Sequence, residues 1–250
     1  MLMRSSHSIG SSLLGAALVA AALLQSSTAR ADESAAARRA AAAHESDRPY
    51  TQAEVSAGLL ALPGAEVCPT SLGQCSQGEI SLAVGIHNLY RYGPVGVGAG
   101  ILWATTLRSD SARGAEVLKR DHSRRYFIVE GALRYYGIRI NSWELWAGTT
   151  LGMVVVNDSW SVKADREPAT DTAFVGPRAA TLGTEGLAAG LGVGTEWSFL
   201  HNWSFGANLR YSMWFLPSER EVSPTGDLAS LSGRVDMFDV GLLLSYRIAL

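Results

Sequence analysis

The sequence predicts an all-β fold: an eight-stranded antiparallel up-and-down transmembrane β-barrel with short periplasmic turns and longer extracellular loops. Three observations predict it. Apolar residues recur at every second position over eight segments of the chain, which is the period of a strand with two different faces. Most of these segments are about twice as long as the strands of soluble sheets, which usually have roughly five or six residues. Short and long connections alternate between the segments, as they do in barrels that cross a bilayer.

The first 31 residues are predicted to be a cleaved signal peptide that takes no part in the barrel. Arg4 supplies the positive start, the apolar run 13–24 is too short to span a bilayer, and Ala29 and Ala31 are small residues suited to a cleavage site. An uncleaved anchor helix is the alternative. Residues 32–49 are rich in alanine and lack an amphipathic stripe, so we interpret them as a periplasmic linker. The barrel is therefore assigned to residues 50–250.

The eight predicted strands follow one another along the rest of the chain. In the clearest of them, Ile80, Leu82 and Val84 alternate with small or polar residues. Glycine, alanine and serine dominate the second face of most strands. The predicted strands are 53–62, 79–92, 95–108, 126–140, 143–156, 185–199, 203–215 and 235–250.

Three connections are predicted to be two-residue hairpin turns, at Gly93-Pro94, Asn141-Ser142 and His201-Asn202. The other connections are longer and hold most of the prolines and mixed charges. They are the loop around the two cysteines, 109–124, 157–183 and 217–233. Because an even number of strands returns the chain to its starting side, both termini are expected on the periplasmic side, with the short turns.

Aromatic residues near both ends of the strands predict two belts at the membrane interfaces. Those near the short turns are Tyr90, Tyr92, Trp143, Trp197, Phe199, Trp203, Phe205 and Tyr246. Those near the long loops are Trp103, Phe127, Trp160, Trp214 and Phe215. A soluble β-sandwich or lipocalin-like barrel, with its apolar faces turned inward, is the alternative fold. In that fold the second face of each strand would be exposed to water and would be expected to carry many charges. Charged residues are few on that face of the predicted strands.

The two cysteines, Cys68 and Cys75, are predicted to form a disulfide, because an even pair at short spacing in an exported protein favours a bridge. The residues between them include a proline and a glycine, as expected of a turn. Metal binding is the alternative, but no histidine lies nearby in the sequence to complete a site.

Composition excludes several classes of protein. The chain has 250 residues, of which 47% are hydrophobic and 18% charged, and this hydrophobic content argues against intrinsic disorder. A net charge of −2 and a pI near 6.2 argue against a nucleic-acid partner. No run of about 20 apolar residues follows the leader, so a polytopic helical membrane protein is not expected. The sequence contains no phosphate-binding glycine loop or cluster of metal ligands, so no cofactor is expected.

The last strand carries the most specific motif, Asp239-x-Gly241-x-x-Leu244-x-Tyr246. With the strand and loop pattern, which covers residues 50–250, it resembles the small eight-stranded outer-membrane barrels of the OmpA/OmpX type. The resemblance implies a place in the outer membrane of a Gram-negative-type envelope, surrounded by its lipid. It also implies that the outer-membrane insertion machinery reads the motif as an assembly signal. The chain departs from the family by ending in Ile248-Ala249-Leu250 rather than in an aromatic residue.

The inward faces of the predicted strands carry acids and arginines that are expected to form a polar network. Eight strands enclose a lumen that side chains roughly fill, and unpaired charges there would be costly. The predicted members are Glu79, His87, Arg91, Glu130, Arg134, Glu144, Glu196, Asn208, Arg210, Asp239 and Arg247. The network is interpreted as a structural plug, and a narrow ion path through it is the alternative.

The sequence therefore favours a monomeric, non-enzymatic barrel with a structural or surface-interaction role. A porin-like channel is one alternative. A second is an enzyme that modifies lipid A, for which Asp121-His122-Ser123 in a long loop has suitable residue types. Adjacent residues point in different directions, however, and do not form a triad by themselves.

Overall fold

The computed structural model describes residues 49–67, 76–106, 110–113, 119–161, 166–167, 172–173, 179–223 and 228–250. They belong to one compact unit, Pro49–Leu250. The predicted signal peptide, nearly all of the predicted linker and both cysteines lie outside the described residues. Within the described part of the chain, no helix is long and apolar enough to cross a membrane.

Eight long strands form the barrel, and we number them in chain order. They are β1 (Tyr50–Ala61), β2 (Ile80–Tyr92), β3 (Val95–Thr106), β4 (Lys119–Ile140), β5 (Trp143–Ser161), β6 (Ala179–Ser198), β7 (Trp203–Phe215) and β8 (Arg234–Ala249). Shorter strands lie in the connections, at Glu66–Val67, Ser76–Gln77, Asp110–Arg113, Arg166–Glu167 and Thr172–Ala173.

Every long strand is antiparallel to its neighbours, and the sheet closes on itself. β1 pairs with both β2 and β8, and β3 pairs with β4, so no long strand is left at an edge. Each inward residue has a partner on the next strand. Following these partners once around the barrel from Tyr50 returns to β1 at Leu60, ten residues further along the chain. This stagger requires the strands to tilt against the barrel axis. The all-β, eight-stranded antiparallel barrel predicted from the sequence is thus confirmed.

The connections alternate between short and long, with some differences in length from the prediction. Gly93 and Asn141 adopt the left-handed backbone conformation, with φ of 54° and 55°, in the two tightest turns. The third short connection has four residues, 199–202, rather than two. β4 begins at Lys119 and β5 extends to Ser161, so strand pairing occupies much of two predicted loops. The period-two pattern did not predict these extensions. Residues there are polar on both faces of the strand, so apolar and polar residues do not alternate.

The outward face of the barrel is apolar, with large exposed side chains such as Ile86, Leu151 and Leu191 on several strands. All eight aromatic residues predicted for the short-turn belt are exposed. In the long-loop belt, the prediction was wrong for Trp160 and Trp214, which are only 1% and 0% exposed. Both occupy inward positions of their strands, β5 and β7, so they fill the barrel instead of facing outward.

A short hairpin flanks the two cysteines of the predicted disulfide. Glu66 pairs with Gln77 and Val67 with Ser76, so the chain on either side of the two cysteines is held in antiparallel register. We expect both thiols to resist alkylation in the purified protein until a reductant is added, with mass spectrometry as the readout. A loop of this size should contribute about 2 to 3 kcal/mol to local stability. Alkylation of both thiols without reductant would contradict the prediction.

Candidate functional site

The interior of the barrel is the candidate functional site, because it gathers the buried charged side chains of the chain. From the short-turn end to the long-loop end, its side chains form four layers. We call them the lower polar, middle polar, apolar and upper polar layers.

In the lower polar layer, three arginines share the carboxylate of Glu144. Arg91 makes a two-pronged ion pair with it, at 2.8 Å and 3.0 Å. Arg139 donates from Nε to Oε1 at 2.7 Å, and Arg247 donates from Nη2 to Oε2 at 3.2 Å. The Arg91 guanidinium also lies 3.6 Å from the ring centroid of Tyr136. Three positive charges around one carboxylate leave an excess of positive charge at the short-turn mouth.

A second ion pair in the lower polar layer joins Arg134 on β4 to Glu54 on β1. Its two hydrogen bonds measure 2.7 Å and 2.9 Å, and both side chains are buried. The guanidinium stacks on Trp146, 4.1 Å from the ring centroid. On β6, a Cβ added at Gly194 would come within 2.5 Å of the same ring. Glycine on the inner face of β6 therefore gives the indole room to lie against the sheet.

Glu196 completes the lower polar layer and is fully buried. Its two carboxylate oxygens accept hydrogen bonds from Nε2 of Gln52, at 3.1 Å and 3.0 Å. The hydroxyl of Tyr136 lies 3.5 Å from Oε1. These neutral donors satisfy a carboxylate that lies directly across the strand pair from Glu144.

The middle polar layer is centred on Glu130 of β4. Nε2 of His87 lies 2.9 Å from Oε1 of Glu130, and the guanidinium of Arg210 pairs with the same oxygen. Arg210 also lies 3.9 Å from Oδ1 of Asp239, which accepts a hydrogen bond from Asn208 at 3.4 Å. Strands from opposite sides of the barrel are thereby linked through its centre.

Above these two polar layers, the interior is apolar. Sixteen buried residues form a continuous cluster, and each of the eight strands contributes at least one. The largest member, Trp214, packs against Tyr126 with ring centroids 5.4 Å apart. The members of the apolar layer are Leu60, Leu62, Ala65, Ala83, Leu102, Ala104, Tyr126, Ile128, Val154, Val156, Ala188, Trp214, Leu216, Leu231, Val235 and Met237.

The upper polar layer lies beyond the apolar layer and includes Glu79, one of the predicted network residues. Oε2 of Glu79 accepts a hydrogen bond from Nε of Arg124 at 2.7 Å, and Oε1 accepts one from the hydroxyl of Tyr126 at 2.9 Å. This pair is therefore separated from the other predicted charges by apolar side chains.

The upper polar layer also contains His122, which the sequence placed in a loop as a candidate catalytic residue. That placement was wrong: His122 lies in β4, is 1% exposed and stacks on Trp160. Its Nε2 lies 2.7 Å from Oδ1 of Asp158. The other oxygen of Asp158 accepts hydrogen bonds from the backbone N–H and the hydroxyl of Ser230, at 2.9 Å and 3.0 Å. The arrangement ties the segment before β8 to the barrel wall and leaves His122 inaccessible to a lipid substrate.

The structure thus distributes the predicted network over three layers. It also adds residues that the sequence analysis missed, above all Glu54 and Gln52 on β1 and the Asp158–His122 pair. The alternation of Gln52, Glu54 and Ser56 was a usable signal, because these residues share the inward face of β1. In the proposed assembly motif, Asp239 and Gly241 face inward, and Leu244 and Tyr246 face outward from β8, which pairs with β1 where the barrel closes.

The described residues hold no group of three or more His, Cys, Asp or Glu side chains that could bind a metal ion. The interior acids are instead engaged by arginine, histidine and amide donors. The chemistry that this interior supports is charge pairing and packing.

Comparisons with known proteins give a match in structure alone. No protein-family model matches the chain, and no curated protein does. The Neisserial surface protein A is similar in structure, with a TM-score of 0.50, 11% identity, and coverage of 80% of this chain and 97% of that one. A major outer membrane protein from Thermus thermophilus is similar with a TM-score of 0.51, 13% identity, and coverage of 80% and 99%. The chain has the fold of the small eight-stranded outer-membrane β-barrels.

Proposed function

We propose that the protein is a monomeric, non-conducting and non-enzymatic barrel of the outer membrane, which acts through its stability and its loop surface. The observation that carries this proposal is the apolar layer. A water-filled path would have to cross a section of the barrel to which every strand contributes a buried apolar residue. Ions are poorly solvated among such side chains, so this layer closes the lumen.

The outward face supports the membrane location. Apolar side chains cover it between the two aromatic rows, and residues such as Val97, Leu133 and Leu242 are more than half exposed. A water-soluble monomer rarely exposes so large a contiguous apolar surface. A closed barrel satisfies all its strand hydrogen bonds internally, as a lipid environment requires.

Planar-bilayer recording tests the closed interior. We expect the refolded protein to insert without producing reproducible conductance steps, because the apolar layer separates the lower and middle polar layers from the upper one. A general porin reconstituted in the same bilayers serves as the positive control. Reproducible steps that disappear on replacing Glu130 or Arg210 would overturn the proposal in favour of a narrow ion path.

The membrane location has a separate test in solubility and gel mobility. We expect the purified protein to require detergent, and an unheated sample to migrate differently from a boiled one in a denaturing gel. The expected reason is that a closed barrel with paired charges inside resists unfolding by the gel detergent. A protein that stays monodisperse without detergent and shows no mobility shift would contradict the outer-membrane proposal.

A further inference from the structure

Each long strand has two partners within the barrel wall, but β6 continues upward beyond one of its partners. On the β5 side, its pairing runs without interruption from Ala179 to Trp197, whereas on the β7 side it begins only at Leu187. No described residue forms a backbone hydrogen bond with the β7 side of residues 179–186. We call residues 179–186 the free edge. At about 3.4 Å per residue, the free edge is roughly 27 Å long.

The backbone groups on the open side follow from the last residue of β6. Ser198 donates its N–H to the carbonyl of Ser142, on the β5 side, at 2.9 Å. Backbone N–H and C=O groups point to opposite sides at successive residues of a strand. Even-numbered residues of β6 therefore face β5, and odd-numbered residues face the other side. The open side of the free edge thus presents the N–H and C=O groups of Ala179, Thr181, Gly183 and Glu185.

The free edge lies beyond the long-loop aromatic belt, on the outer side of the proposed membrane. Leu187, the uppermost large apolar residue on the outward face of β6, is 60% exposed and pairs with the belt residue Phe215. Above this level, the outward side chains of β5 and β6 are small or polar: Asn157, Ser159, Ser161, Ala179, Thr181, Gly183 and Glu185. Such a surface suits water, so another chain can reach the open backbone groups from outside.

The free edge lacks the features that usually prevent an edge strand from pairing with another chain. Proteins protect such edges with lysine, proline, a β-bulge or a covering segment. Residues 179–186 contain neither lysine nor proline, and their register with β5 has no bulge. On the far side of β5, by contrast, the upper part of β4 is paired with the short strand Asp110–Arg113. Among the described residues, the sheet above the membrane is therefore covered on one side and open on the other.

A second copy of the chain in the same membrane does not fit the free edge. The strands of such a barrel tilt by about 35 to 45° from its axis, so the β6 strands on the facing sides of two upright barrels would cross at roughly twice this angle. Neighbouring strands in a sheet differ in direction by only about 20 to 25°. The geometry therefore favours a segment of another molecule, which is free to align with β6.

We propose that the free edge binds an extended peptide segment of another protein, which adds a strand to the sheet outside the membrane. In this mode, backbone hydrogen bonds supply affinity and side chains supply specificity. Directly opposite residues share a face of the sheet. The exposed Glu185 favours a basic residue opposite it, and the half-buried Leu182, on the inward face, favours an apolar residue three positions away. The inference deepens the role proposed for the loop surface and rests on the proposed membrane location.

Binding of a labelled peptide to the refolded barrel in a mild detergent tests the free edge. The probe is the capped octapeptide Val-Lys-Val-Thr-Val-Thr-Val-Thr, whose lysine lies opposite Glu185 when it pairs antiparallel with residues 179–186. We expect saturable binding by fluorescence anisotropy and slower hydrogen exchange at the amides of the four open residues. The control peptide is N-methylated at its lysine and three threonines, whose amides face β6 in this register, and it should not bind.

Variants of the barrel separate the backbone contact from the charge contact. Thr181→Pro removes an open N–H without disturbing the pairing with β5, and it should weaken binding about tenfold. The matched control His201→Pro, in an exposed turn at the other end of the barrel, should bind like the wild type. Gel mobility confirms that each variant is folded, and Gly183→Pro replaces Thr181→Pro if the latter does not fold.

The charge contact is tested by Glu185→Lys, which should weaken binding of the probe because it places like charges opposite each other. A second probe, with glutamate in place of lysine, should bind this variant better than it binds the wild type. Glu219→Lys, at an exposed acid of the loop after β7, is the control and should leave the preference between the two probes unchanged.

Three results would overturn the site. These are no saturable binding to a folded wild-type barrel, equal binding of the N-methylated peptide, or open amides that are already protected before the peptide is added. In the last case, protection that is lost on dilution would assign the edge to a second copy, and protection that persists would assign it to another segment of the chain. A protein that stays monodisperse without detergent would contradict the membrane proposal instead, so the two failures are distinguishable.

Discussion

Replacing Arg134 by methionine should destabilise the folded barrel by about 3 to 5 kcal/mol, the usual cost of removing one partner from a buried ion pair. The variant leaves the carboxylate of Glu54, which is 2% exposed, without its guanidinium partner. His87, with Nδ1 3.7 Å from Glu54, is too distant to replace the two lost hydrogen bonds. The substitution also removes the cation stacked on Trp146.

Urea titration of the refolded protein in lipid vesicles measures this loss, with tryptophan fluorescence and gel mobility as independent probes. The double variant Arg134→Met with Glu54→Leu should recover much of the stability, because it removes the unpaired charge as well. Arg234→Gln is the control: its pair with Asp236 is exposed, and such pairs contribute about 0 to 1 kcal/mol. An unchanged urea midpoint for Arg134→Met would show that the pair does not hold the lower polar layer.

The second large effect is expected in the apolar layer, where Trp214→Ala should cost about 3 to 5 kcal/mol. Trp214 is fully buried and packs against Tyr126. The closed sheet around it limits collapse of the resulting cavity, because β7, which carries Trp214, is held on both sides by its pairing to β6 and β8. The same urea titration measures the loss.

The matched control for the cavity is Trp203→Ala, on the same strand. Trp203 is 39% exposed on the outward face, so its removal creates no enclosed cavity and should cost clearly less. Equal destabilisation by the two variants would mean that Trp214 does not act as the central packing residue of the apolar layer. A smaller effect for Trp214 than for Trp203 would contradict the proposed closure of the lumen at this level.

Much of the fold was predictable because the orientation of a strand side chain follows a local rule of period two. This rule placed Glu130 and Arg134 together on the inner face of β4. It was less successful at the ends of the strands, where residues of β4 and β5 close to the loops are polar on both faces. His122 was therefore assigned to a loop, although it lies buried in a strand.

Large aromatic residues near the long loops were also misassigned in part. Trp160 and Trp214 were predicted to lie in the long-loop belt with Phe215 because of their positions along the chain. Their burial depends on which face they occupy, and both lie at inward positions. The apolar layer was not predicted either. Its members come from all eight strands, and only closure of the barrel brings them into contact.

The sequence by itself determined the number of long strands, the apolar character of one face and the alternation of short and long connections, because these depend on neighbours within a strand or turn. The tertiary structure decided which charges pair. Glu54 and Arg134, 80 positions apart in the chain, meet because the strands are staggered by ten residues around the closed barrel. That stagger sets the height of every inward side chain, and no local pattern in a single strand encodes it.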